Sequence, residues 1–286
     1  MSRNKDRLGT GAPPSSGPPP ELTQQAGENN PFSFVVPTEF VELPSKGRFY
    51  AETHPLHNID VLEIKHMTAK EEDLLTSQAL LKKGVALDRL MKNLIVDKRI
   101  NPNSLLSGDR NAIMVAARIS GYGSDYSPTV TCPACGTQQE THFDLHDVSV
   151  IEGEVMHELG VTEVGDGLFT VTLPKTKCEV TFRLINGADE KTLLKQIEND
   201  RKRKKEEQTI TRQLQLITVA VNGNDDPAVI NYFVNNVPSL DARHLRTAFR
   251  LATPNVDLSQ NFECESCGHE QEMEVPLTAE FFWPNS

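Results

Sequence analysis

Cys132-Pro133-Ala134-Cys135-Gly136 and Cys264-Glu265-Ser266-Cys267-Gly268 are one short pattern written twice in the same chain. Two residues between cysteines let the backbone turn tightly enough for both sulfurs to face a point about 2.3 Å away, the length of a zinc–thiolate bond. The glycine after each second cysteine suits that turn, because positive φ costs it little. Amides inside the turn can donate to the sulfurs and spread their negative charge. Each motif is flanked by strand-like sequence, as in a zinc ribbon. Two such knuckles supply four thiolates, enough to fill a tetrahedral shell. One structural zinc ion on Cys132, Cys135, Cys264 and Cys267 is therefore expected. A closed four-cysteine shell keeps no position for water, so metal catalysis is not expected. His269 could stand in for a cysteine, and His142 and His146 also lie close by, but four cysteines suffice. A redox pair would need a thioredoxin-like helix start after the motif, and Pro133 and Glu265 do not sit in that pattern.

The two knuckles lie much farther apart in the chain than those of a compact zinc ribbon. The region between them must then be an insertion whose ends return to one place. This gives an α+β fold: a small helical bundle, a zinc-ribbon-like β unit, and a large α+β insertion between the two cysteine knuckles. Four segments follow. Residues 1–33 form a Gly/Pro/Ser-rich tail that cannot bury enough apolar surface to offset chain entropy. Residues 34–147 form an α+β segment that ends in the first knuckle. Residues 148–258 are the insertion, with a long charged helix. Residues 259–286 carry the second knuckle and an aromatic C-terminus.

In the second segment, strands are expected at Phe40–Leu43 and near Ile59–Ile64, around a turn at Pro44-Ser45-Lys46-Gly47. Thr68 and Glu71 form a capping box for a helix that carries Leu74, Leu75, Ala79 and Leu81 and closes at Gly84. A second helix, about Ala86 to Val96, shows Leu87, Leu90, Met91 and Leu94 on one face. A third starts near Asp109 and runs through Ile113, Val115, Ala116 and Ile119 to Gly121 and Gly123. In the insertion, Leu168–Leu173 and Glu179–Leu184 read as a hairpin. A long helix from Asp189 is expected to continue past Leu214 and Ile217 to Val221. Helices near Ala228–Asn235 and from Ser239 to Ala252 follow, with Ser239 as cap. Strands bracket both knuckles, the last of them Glu272–Leu277.

Composition narrows the function classes. Of 286 residues, 37% are hydrophobic and the net charge is -11. No stretch approaches the roughly 20 apolar residues of a membrane helix, and the polar N-terminus lacks a signal-peptide core. A cytoplasmic protein without membrane contact is expected. An acidic chain is poorly suited to nucleic acid, whose phosphates call for surplus Lys and Arg; a zinc-ribbon nucleic-acid binder or regulator is the alternative reading. The one basic run, Arg201 to Lys205, reads as a solvated helix face or as a contact for an acidic partner. Cys178, the fifth cysteine, reads as a core thiol. Phosphate loops, nucleophile elbows and metalloprotease motifs are missing, so neither an enzyme nor a small-molecule substrate is expected. Gly108-Asp109-Arg110-Asn111 reads as a helix start, with Asp109 satisfying the free amides. Tyr122 and Tyr126 read as packing residues. Phe281-Phe282-Trp283 are costly to expose: they dock either on the chain's own core or, as partner-binding residues, on another subunit.

Several of these pieces occur in a telling order. Leu43-Pro44-Ser45-Lys46-Gly47-Arg48-Phe49-Tyr50 comes first, then Met67-Thr68-Ala69-Lys70-Glu71-Glu72, then Gly108-Asp109-Arg110-Asn111. Ala117-Arg118-Ile119-Ser120-Gly121-Tyr122-Gly123, the cysteine knuckle and the closing Phe281-Phe282-Trp283-Pro284 complete the set. Together they resemble the baseplate hub subunit and hub-assembly proteins of T-even-like contractile-tailed phages, over about residues 40–145 and the last 25 or so. The resemblance implies a non-catalytic structural role in virion assembly through contacts with other phage tail and baseplate proteins. It places the protein in the host cytoplasm during assembly and in the virion tail baseplate for members retained there.

Overall fold

The computed structural model describes residues 36–77, 79–80, 84–153, 157–202, 208–275 and 279–282. The expected tail at 1–33 lies outside the described residues, as do Leu81, the basic run from Arg203 to Lys205, the strand end at Pro276-Leu277, and Trp283-Pro284. The chain divides into units Met1–Thr38 and Glu39–Ser286; almost all described residues belong to the second.

Strands β1 (Thr38–Glu42) and β2 (Val61–Lys65) form a two-stranded sheet. Alternation buries Val41, Leu62 and Ile64 and leaves Phe40 exposed. In the turn after β1, Gly47 takes φ of 70°, and a Cβ there would run into the backbone of Leu56 and Ile59. Helix α1 (Ala69–Thr76) begins on the expected capping box: Glu71 accepts from the Thr68 amide at 3.1 Å and the Thr68 hydroxyl at 2.5 Å. It stops earlier than expected. Ser77 turns extended, and its carbonyl accepts from Leu80 N at 2.9 Å, so Ala79 and Leu80 begin a new turn. Helix α2 (Ala86–Leu94) buries Ala86, Leu90, Met91 and Leu94. Leu87, expected on that face, is 40% exposed because the buried stripe centres on Leu90 and Leu94. Helix α3 (Ser107–Tyr122) ends at Gly123, with φ of 83°, whose N–H donates to Ile119 O.

The intervening region is built on a four-stranded antiparallel sheet in the order β11-β10-β9-β8. Its strands are β8 (Val161–Gly165), β9 (Leu168–Thr172), β10 (Glu179–Arg183) and β11 (Thr218–Val221). The hairpin pairs Phe182 with Phe169 and Val180 with Val171. These four side chains are fully buried, and Phe182 meets Phe249 of helix α7 (Ser239–Ala252). Asp241 in the first turn of α7 accepts from the amides of Lys175 and Thr176, both at 2.8 Å, and so fixes the β9–β10 connection. Pro238, not Ser239, occupies the cap position of α7.

The long charged helix is a correction. Helix α4 (Gly187–Lys202) and helix α5 (Thr209–Ile217) are separate elements, and Thr218 to Val221 is a strand. Thr218, Val219 and Val221 are β-branched, and the ladder that pairs Val221 with Val180 prevails over helical continuation. Helix α6 (Pro227–Asn236) then opens on Asp226, whose side chain accepts from Ala228 N.

Strand β7 (Ser149–Ile151) pairs antiparallel with β12 (Asn255–Asp257). The two ends of the intervening region thus meet, as the separation of the knuckles required. β12 crosses α3 closely. A Cβ on Gly108 would strike Pro254 O, and Asn111 donates to the Asn255 side chain at 3.0 Å. Phe281 and Phe282, expected to dock either on the chain's own core or on a partner, are 2% and 3% exposed. Phe281 stands edge-on to Tyr126 at 5.2 Å, and its carbonyl accepts from Arg118 Nε at 2.7 Å. These two rings are committed to the chain's own core. Tyr126 is buried and Tyr122 packs partly buried against the same core. Cys178 is only half-buried there, rather than a fully enclosed thiol.

Candidate metal centre

Each knuckle hangs on a short antiparallel pair. β4 (Thr129–Thr131) and β5 (Gln138–Glu140) flank the first; β13 (Ser259–Glu263) and β14 (Glu270–Glu274) flank the second. The turns match bond for bond. Cys132 N donates to Thr137 O at 2.8 Å and Gly136 N to Cys132 O at 2.9 Å. In the second knuckle Cys264 N donates to His269 O at 2.9 Å and Gly268 N to Cys264 O at 2.8 Å. Both glycines have positive φ, 73° and 66°.

The fold brings all four cysteine sulfurs within 4.8 Å of one another. Cys132 Sγ lies 3.8 Å from Cys267 Sγ, and Cys135 Sγ lies 3.7 Å from Cys264 Sγ. Tetrahedral bonds of about 2.3 Å set sulfurs about 3.8 Å apart, whereas a disulfide needs about 2.05 Å. The donor set fits a tetrahedral thiolate-bound metal ion. Cys132 and Cys264 are buried, and Cys135 and Cys267 face solvent.

As thiols alone, the two exposed cysteines are unequal. The Thr137 hydroxyl, then its backbone amide, pulls Cys135 down to about 6. The His269 amide favours a Cys267 thiolate, but hydrogen bonding with Cys135 and desolvation outweigh it and push that thiol up to about 12. Adjacent thiolates repel, and a divalent cation is what makes all four ionised forms compatible. Among the described residues, no histidine joins the cluster. His269 Nε2 lies 3.3 Å from Gln271 Oε1, and His142 interacts with Ser127 and Asp125.

A second polar cluster escaped sequence reasoning. Asp109, expected to cap its own helix, is fully buried and accepts from Ser45 N at 3.0 Å, Ser45 Oγ at 2.6 Å and Tyr50 Oη at 2.6 Å. Tyr50 Oη in turn accepts from Leu106 N at 3.0 Å, so the tyrosine caps α3 from outside. Burial raises the Asp109 pKa, although Ser45 and Tyr50 donate to it. Burial and the neighbouring carboxylate also hold Tyr50 firmly protonated. The signal was present: Ser45 and Tyr50 sit in one quoted motif and Asp109 in another, but no periodicity links them. Arg110 lies beside this cluster. It donates to Pro102 O at 2.7 Å and Asp88 at 3.2 Å, and pairs with Glu190 at 3.4 Å, joining α2, α3 and α4.

Residues 36–164 match the family model described as T4 bacteriophage base plate protein. This match supports a phage baseplate-related protein. It takes in β1, β2 and helices α1 to α3, including the Ser45–Tyr50–Asp109 cluster and the first knuckle; the second knuckle falls beyond it. Neither the curated proteins nor the solved structures contain a match to the chain. Among the described residues, no helix is long and apolar enough to cross a membrane.

Proposed function

We propose that the chain is a non-enzymatic subunit of the phage tail baseplate hub, or a protein that assembles that hub. It acts through contacts with other tail and baseplate proteins. One zinc ion on Cys132, Cys135, Cys264 and Cys267 ties the matched region to the C-terminal segment. The observation that carries this reading is the family match over residues 36–164. The hub assignment rests on the ordered motifs at Leu43–Tyr50, Met67–Glu72, Gly108–Asn111 and Ala117–Gly123. The buried contact of Ser45 and Tyr50 with Asp109 gives a physical reason for two of them to occur together. The choice of zinc rests on four thiolates at tetrahedral spacing.

Quantitative mass spectrometry of purified particles beside infected-cell lysate tests the role. A fixed ratio to tail proteins in the particle identifies a structural hub component. Abundance in lysate with absence from particles identifies an assembly factor, provided that tail proteins co-purify with it. Absence from particles together with a pull-down free of tail proteins sinks the baseplate reading. Elemental analysis of the purified chain should find one zinc per molecule.

A further inference from the structure

The two knuckles share one cysteine and glycine spacing and the same turn hydrogen bonds, which makes a departure from that repeat informative. Counting from the cysteines, Gln139 and Gln271 hold equivalent positions, four residues past Cys135 and Cys267. Gln139 reaches across to the other knuckle. Its Nε2 donates to Glu263 O at 2.9 Å and its Oε1 accepts from Glu265 N at 3.0 Å. Those two groups flank Cys264 on either side. The side-chain amide thus satisfies one carbonyl and one amide at once, and only one orientation of the amide does so.

The mirrored contact would need Gln271 to hold Thr131 O and the amide of the residue after Cys132. That residue is Pro133, which has no N–H. Gln271 instead lies against His269 within its own knuckle, at 3.3 Å. The clamp is therefore one-sided: the first knuckle positions the second.

We propose that Gln139 is a positioning residue for the metal centre, holding the backbone on both sides of Cys264 so that its buried sulfur meets the other three. It touches no sulfur itself; it sets where one ligand stands before the metal arrives. Groups that orient metal ligands from behind typically change metal affinity by about 10–100-fold when removed. The inference rests on the reading of the four cysteines as a metal site.

The test uses the full chain and its Gln139→Leu, Gln139→Asn and Gln271→Leu variants. Zinc affinity is read by competition with a chromophoric chelator, and ligand geometry by the visible absorption of the cobalt(II)-substituted protein. Gln139→Leu should bind zinc about 10–100-fold more weakly and give a weakened or shifted tetrahedral cobalt spectrum. Gln139→Asn keeps the amide but is one methylene too short to span both partners, and should fall between Gln139→Leu and the parent. Gln271→Leu, its equivalent without a cross-knuckle bond, should change affinity by no more than about 2-fold. Equal effects at 139 and 271, or none at 139, overturn the clamp while leaving the metal site standing. A parent chain that binds neither zinc nor cobalt overturns the metal reading itself. Should Gln139→Leu fail to fold, the ranking of Gln139→Asn against Gln271→Leu decides: a larger loss in Gln139→Asn supports the clamp, and parity overturns it.

Discussion

Replacing Tyr50 with Phe deletes a single oxygen, and the structure specifies what that oxygen does. It donates to Asp109 Oδ2 at 2.6 Å and accepts from Leu106 N at 3.0 Å, all within the buried core. The ring stays, including its parallel stack on His54 at 4.4 Å, so little packing is lost. A buried hydrogen bond to a carboxylate contributes about 1.5–3 kcal/mol, and a buried amide left unpaired costs about 1–3 kcal/mol. Partial relaxation reduces the sum, so a destabilisation of about 2–4 kcal/mol is expected. The effect should also depend on pH. Burial raises the Asp109 pKa in the folded chain, so whatever the group contributes is fully present below its unfolded value of about 3.9 and falls as pH rises through the folded value. Losing the Tyr50 donor raises the folded value further. The deficit of Tyr50→Phe should therefore be smaller at low pH and grow toward neutral pH. Denaturant unfolding of parent and variant at several pH values measures this as a shift in midpoint at constant slope. A double-mutant cycle with Asp109→Asn should give a coupling of about 1–3 kcal/mol. A destabilisation below about 0.5 kcal/mol, or a coupling near zero, would refute the view that this cluster ties the Leu43–Tyr50 motif to α3.

Cys132→Ser and Cys264→Ser should each abolish stoichiometric zinc and lower Tm by roughly 10 °C or more, since structural zinc adds folding energy directly; unchanged metal content and Tm in either variant count against the site. Phe281→Ala removes a buried ring packed edge-on against Tyr126 and Phe282. It should cost about 3–5 kcal/mol in calorimetry or denaturant unfolding; a variant that keeps parental stability but loses tail-protein binding would return that ring to a partner role. Asp189 is half-buried; desolvation opposes its ionisation, but the two 2.7 Å bonds from Arg183 win and lower its pKa. Its contribution is therefore present above about pH 4 and lost as pH falls through the lowered folded value. Asp189→Asn should shrink the stability gap to the parent as pH drops, and a gap independent of pH would contradict this.

What could be read before folding was chemistry set by short spacing. The four cysteines, the Thr68–Glu71 capping box, the β9–β10 hairpin and the 239–252 helix each depend on residues a few positions apart, so local rules reached them. The return of the two knuckles to one place followed from valence, because one tetrahedral ion needs all four sulfurs. Errors fell where tertiary contacts compete with local preference. Val219 and Val221 continue a helical pattern, yet an open ladder position beside β10 takes them into a strand. Leu87 shares the spacing of Leu90 and Leu94 but stands at the margin of the buried stripe.

The amino-acid order alone was enough for the two cysteine pairs, the α+β class and the acidic composition, because each is a property of residue type and near spacing. The three-dimensional arrangement decided the rest. Asp109 could be assigned as a cap from its position in the chain, yet its partners Ser45 and Tyr50 come from a distant turn. Phe281 was apolar in either reading, and the carbonyl it offers to buried Arg118 is what places it inside. Gln139 looked like any exposed-strand glutamine until Cys264 and its neighbours came within reach. In each case the deciding partner is far off in sequence. Desolvation makes a buried polar group find that partner or destabilise the fold, and only the packed chain shows which partner lies near enough.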